Sequence, residues 1–217
     1  MISDQLLHFV EYELQAIALA WMAVVYGIKI YKLCCLPMPW EKAPPRGSAR
    51  MGAARSYVSI LHPWSRESSR EHKERWLEFG LYHVGALTAI INTFTYPFAP
   101  QLMTGPVKVI FAALIAPAIV VGFIKIGRRL LRPELRIIST PDDYFALVSL
   151  QLFFFFAVMA LVVGTPSWQF AYYLITAAFL FYVPFSKISH YIYFFFSHYL
   201  TGRRYGWRGV PNARMAS

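Results

Sequence analysis

Five apolar runs, each close to the roughly 20 residues that a helical bilayer crossing needs, dominate this sequence. They lie at Leu14–Leu36, Trp76–Pro97, Val107–Ile126, Tyr144–Val163 and Trp168–Ser197. The first should stop where it does because Pro37 and Pro39 follow at once. The last is longer than a crossing requires, which implies tilt or an extension beyond the bilayer, with a kink at Pro184. The predicted fold is an all-α integral membrane protein, a five-transmembrane-helix bundle forming one membrane domain over residues 1–217. Composition agrees: 57% of residues are hydrophobic and 15% charged, against about 45–50% and about 25% in soluble domains.

The charges give the direction of the spans. Residues 37–75 hold Lys42, Arg46, Arg50, Arg55, Arg66, Arg70, Lys73 and Arg75, and "GRRLLRPELRIISTPDD" between spans three and four carries four arginines. The tail 198–217 adds Arg203, Arg204, Arg208 and Arg214. The opposite side has Asp4, Glu11 and Glu13, a short loop near Lys108, and the uncharged "GTPSWQ". Basic residues collect on the cytoplasmic side, so the N-terminus is expected outside, with loop 37–75 and tail 198–217 in the cytoplasm. Within that loop, "EKAPPRGSARMGAARS" reads as irregular chain on the cytoplasmic face, and Ser68 with Glu71 as a capping box opening span two.

Several function classes drop out. The net charge of +10 sits in the gaps between apolar runs and forms no basic face with a base-reading motif, so no nucleic acid is expected as a partner. There is no Gly-rich phosphate loop, no Ser-His-Asp ordering and no carboxylate deep in a span. The first apolar run leads straight into a basic segment, as a retained span does and a removed signal does not. Cys34 and Cys35 are adjacent, too few for a zinc or iron–sulfur site; they read as small residues at a helix end or as a palmitoylation site.

Ionisable residues at membrane depth are costly and by default functional. At about 1.5 Å per residue, His83 lies roughly 10 Å inside span two, and His190 lies a matching depth inside span five. Two such histidines on antiparallel helices suit the axial imidazoles of a six-coordinate haem; the alternative is a pair of hydrogen-bonded core residues. His72 and His198 fall at or beyond the bilayer edge and His8 and His62 nearer the surface, all read as interfacial or surface residues.

"LYHVGALTAII" in span two, "GRRLLRPELRIISTPDDYFALVSLQ" between spans three and four, and "PFSKISH" in span five carry a family resemblance. The chain beyond about residue 76 resembles the gamma subunit of respiratory nitrate reductase and the membrane cytochromes b of heterodisulfide-reductase-like and sulfite-reduction-associated complexes. The resemblance implies a haem b-containing anchor subunit of a bacterial or archaeal cytoplasmic membrane. Such a subunit passes electrons between menaquinone or ubiquinone and a cytoplasmic iron–sulfur or flavoprotein partner. It makes His83 and His190 the ligands of the haem nearer the cytoplasm. The positions matching the outer haem's ligands hold Thr93 and Tyr172, with Asn92 alongside, which implies one haem b where the family has two. Arg75, Arg128 and Arg129 are expected at haem propionates, or as topology determinants alone. Lys108 is expected at a quinone, or as a snorkelling interfacial lysine. A haem-free membrane anchor or assembly subunit is the alternative.

Overall fold

The computed structural model describes residues 2–37, 42–62, 64 and 70–209, and among them every regular element is helical. In chain order these are α1 (Asp4–Cys34, with a π turn at Phe9–Glu13), α2 (Ala49–Val58), α3 (Lys73–Phe98) and α4 (Gly105–Leu131). There follow α5 (Pro133–Ile138), α6 (Pro141–Val162), α7 (Pro166–Tyr182) and α8 (His190–Trp207). Among the described residues, four helices are long and apolar enough to cross a membrane: α1, α4, α6, and α7 continued to Phe185. The protein is an all-α, multi-pass membrane protein whose apolar helices meet lipid.

The expected run 76–97 falls on α3, long enough at 26 residues but less apolar than the other four. Beyond His83, which is exposed, Gly85, Thr88, Asn92 and Thr93 are buried, whereas Val84, Leu87, Ile91 and Phe94 are exposed, as is Leu81 before it.

The chain forms two compact units, Met1–Tyr26 with Glu78–Ile188, and Gly27–Leu77 with Ser189–Ser217. In the first, prolines open α4, α6 and α7 within their first turn, where a backbone N–H would have no helical partner. Thr140 precedes Pro141, and the Asp143 carboxylate accepts from the Thr140 N–H at 2.8 Å and its hydroxyl at 2.9 Å. Gly164, at φ +67, turns the chain between α6 and α7 in the left-handed region, where a Cβ would add strain. Fully buried Ala118, Ala157 and Ala160 let the helices approach closely, and Gly85 of α3 meets Ala118 of α4. Phe153 stacks between Tyr172 and Phe179, with centroids at 5.8 and 5.6 Å.

The second unit differs from the expected irregular loop. Ala49–Val58 is a helix, started by Ser48, whose hydroxyl accepts from the Met51 N–H at 3.3 Å. It lies so close to α8 that a Cβ on Gly202 would fall 2.5 Å from the Gly52 carbonyl oxygen, and one on Gly206 2.7 Å from the Gly52 Cα. Tyr57 donates to the Phe195 carbonyl at 2.6 Å and Trp207 Nε1 to the Ala43 carbonyl at 2.7 Å. Glycine disfavours a helix locally; here it is what allows two helices to touch. The stretch 198–207 of the expected tail is likewise helical. The capping residue Ser68 lies outside the described residues.

The last run, expected as one kinked helix over 168–197, is interrupted. α7 ends at Tyr182, short 3-10 turns follow at Val183–Phe185 and Lys187–Ser189, and α8 begins at His190. Pro184 has no N–H to give a continuing helix, and Ser186 is extended (φ −90, ψ 170).

Candidate functional site

His83 sits on α3, exposed on the helix surface, with its ring 4.0 Å from that of Phe79. Its Nδ1 lies 2.7 Å from the Phe79 carbonyl oxygen one turn earlier. A carbonyl only accepts, so the proton belongs on Nδ1 and the lone pair on Nε2. Metal-ligating histidines are held in the same way, the second ring nitrogen donating to a backbone carbonyl and fixing tautomer and orientation. This tautomer is one an axial haem ligand uses, and the same contact is also that of a hydrogen-bonded histidine of a helix. Among the described residues no group of three or more His, Cys, Asp or Glu side chains is arranged around a bare metal ion.

His190 opens α8, is exposed, and belongs to the second unit, as does exposed Arg75. The depth expected for His190 assumes one helix from Trp168 to an exit at Ser197. The chain instead breaks after Tyr182 and then continues helical to Trp207, so that count no longer fixes its depth.

The other histidines have local partners. His198 Nδ1 is 2.9 Å from the Ser56 hydroxyl and 3.0 Å from the Ser56 carbonyl, tying α8 to α2. His72 lies 3.5 Å from Glu74, His8 3.2 Å from Glu13, and His62 Nδ1 3.3 Å from the Val58 carbonyl.

Thr93 and Tyr172 meet each other inside the first unit. Their hydroxyls are 2.7 Å apart; the Tyr172 hydroxyl lies 3.1 Å from the Ala89 carbonyl and accepts from Asn92 Nδ2 at 3.2 Å. Tyr172 and Asn92 are both fully buried. Thr93 and Tyr172 thus bond across the α3–α7 contact.

The arginines of the α4 end have protein partners. Arg128 pairs with Glu78 of α3. Arg129 donates to the Ser139 hydroxyl at 2.5 Å and lies 3.9 Å from Asp143. Glu78 is a partner that the sequence reading did not single out; its signal is an acid entering an apolar run. Lys108 is half-buried, its Nζ 5.4 Å from the Tyr96 ring centre, and Tyr96 accepts from Gln169 at 2.8 Å. Also missed is a polar knot at the start of α6. Lys187 Nζ reaches Asp143 at 2.6 Å and the Thr140 hydroxyl at 2.9 Å, while Asp142 accepts from Tyr182 at 2.5 Å and from the Lys187 N–H at 3.1 Å.

No family model matches the chain, and no solved structure matches it. A protein of Nitratidesulfovibrio vulgaris is 30% identical over 166 residues, an alignment that covers 71% of this chain and 71% of that protein. The chain belongs to that protein's family. Its relative is described as "Protein", words that assign it no activity, ligand or partner.

Proposed function

We propose that the chain is the haem b-containing membrane anchor subunit of a respiratory oxidoreductase complex in a bacterial cytoplasmic membrane. In this role it serves electron exchange between menaquinone or ubiquinone and a cytoplasmic iron–sulfur or flavoprotein subunit. The observation that carries the reading is the 2.7 Å contact of His83 Nδ1 with the Phe79 carbonyl, which presets the tautomer an axial ligand needs. The haem supplies reversible one-electron chemistry when bound, and the protein's contribution is ligation, burial and hydrogen bonding.

His83 and His190 are the axial ligands in this proposal, one haem b per chain. Arg75 is exposed and is the arginine proposed for a propionate ahead of Arg128 and Arg129, which are engaged by Glu78, Ser139 and Asp143. Lys108 beside Tyr96 is the proposed quinone contact. α3 serves as a fifth span: buried polar residues and an exposed apolar face are the arrangement a helix takes between protein and lipid. The N-terminus then lies outside and the C-terminus in the cytoplasm.

Reduced-minus-oxidised spectra of the purified chain test the proposal. One haem b per chain is expected, lost in His83→Ala and His190→Ala and kept in His72→Ala and His198→Ala. A folded preparation without haem favours the haem-free anchor instead.

A further inference from the structure

Charge is divided unequally between the two units. The stretches of the second unit hold fourteen of the 21 Lys and Arg residues and four of the 11 Asp and Glu, which is the whole net charge of +10. The stretches of the first unit are neutral.

Within the second unit, several exposed side chains lie away from the contact between α2 and α8. Gly52, Ala53 and Ser56 turn α2 toward α8. Met51, Arg55 and Val58, at i, i+4 and i+7, share a flank away from that contact, and all three are exposed. Leu61 and Trp64, 70% and 62% exposed, continue the apolar side chains past the helix end. Arg46 and Arg50 are exposed as well. On α8, exposed Tyr193 and Leu200 lie opposite the glycine contact, and exposed Arg203 reaches the Tyr199 hydroxyl at 3.4 Å.

We propose that the α2–α8 pair binds the anionic headgroup layer of the bilayer. Its arginines meet lipid phosphates, and Met51, Val58, Leu61 and Trp64 enter the boundary below them. An acidic protein surface would match the charge but not the apolar side chains set between the arginines. A headgroup layer over acyl chains matches both. Connectivity supports this: residues 35–48 join α2 to the end of membrane helix α1, a tether of at most about 50 Å fully extended. The proposal does not depend on haem.

Limited trypsin digestion of the full chain in nanodiscs tests it, with cleavage after Arg50 and Arg55 followed by mass spectrometry. Discs of phosphatidylcholine alone are compared with discs containing phosphatidylglycerol. Protection is expected in phosphatidylglycerol discs only, and is expected to fade at high salt. Inorganic phosphate added to phosphatidylcholine discs should give none. Arg55→Gln and Arg203→Gln, read at Arg50, should each weaken protection about fivefold, with melting in phosphatidylcholine discs unchanged. Equal cleavage in both discs, or protection only when an acidic protein is added, would overturn the proposal.

Discussion

Lys187 Nζ lies 2.6 Å from the Asp143 carboxylate, fastening the chain after α7 to the first turn of α6. The two residues come from "PFSKISH" and "STPDD", segments 44 positions apart. Asp142 completes the fastening through the Tyr182 hydroxyl and the Lys187 backbone N–H. The interruption between α7 and α8 is thereby held from the side by α6.

Asp142→Ala removes the acceptor of both groups at once and is expected to destabilise the protein by about 1–3 kcal/mol. Lys187→Met should cost less, because its side chain is 53% exposed and such ion pairs contribute about 0.2–1 kcal/mol. Thermal melts in detergent give the order, and a larger loss for Lys187→Met would contradict it.

Gly52→Leu should undock α2 from α8, since the Gly202 carbonyl occupies the place a side chain needs. Gly80→Ala on α3 has nothing within 4 Å of the added methyl. It should be neutral or stabilising by up to about 1 kcal/mol through helix propensity. Protease sensitivity of 49–58 separates the two; matching behaviour would show that the glycine contact does not hold the pair.

Tyr172→Phe removes a hydroxyl bonded to Thr93 and Asn92 and leaves Asn92 buried with fewer partners. A loss of about 1–3 kcal/mol is expected, with no change in haem content. An unchanged melting temperature would mean that the hydroxyl contributes nothing to the α3–α7 contact.

His198→Ala should keep haem yet raise amide exchange in α2, because Ser56 loses its partner across the helix pair. Loss of haem in this variant would assign His198 a ligand role and displace the interfacial reading.

Helix locations were legible because lipid-length apolar runs announce themselves. Pro37 and Pro39 marked the end of the first run within a few residues of the observed helix end at Cys34. α2 was not legible. Its apolar periodicity is weak, its glycines argue against a helix, and its cause, the close approach to Gly202 and Gly206, lies 150 residues away. Pro184 signalled a bend, but the extent of the break depends on Ser186 and on the Asp142–Lys187 bond, which sequence spacing does not express. At the candidate site, the positions of Thr93 and Tyr172 were readable, whereas their mutual hydrogen bond required the helices to be placed.

That bond sets the gap between α3 and α7. Hydroxyls 2.7 Å apart, with the Tyr172 oxygen also beside the Ala89 carbonyl, join the two helices side chain to side chain. On the proposed reading, this seam holds no second haem. On the proposed reading, electrons passing between a quinone at Lys108, on the side away from the cytoplasm, and a cytoplasmic partner cross the membrane, and its potential acts on that passage at about 2.3 kcal/mol per charge at 100 mV.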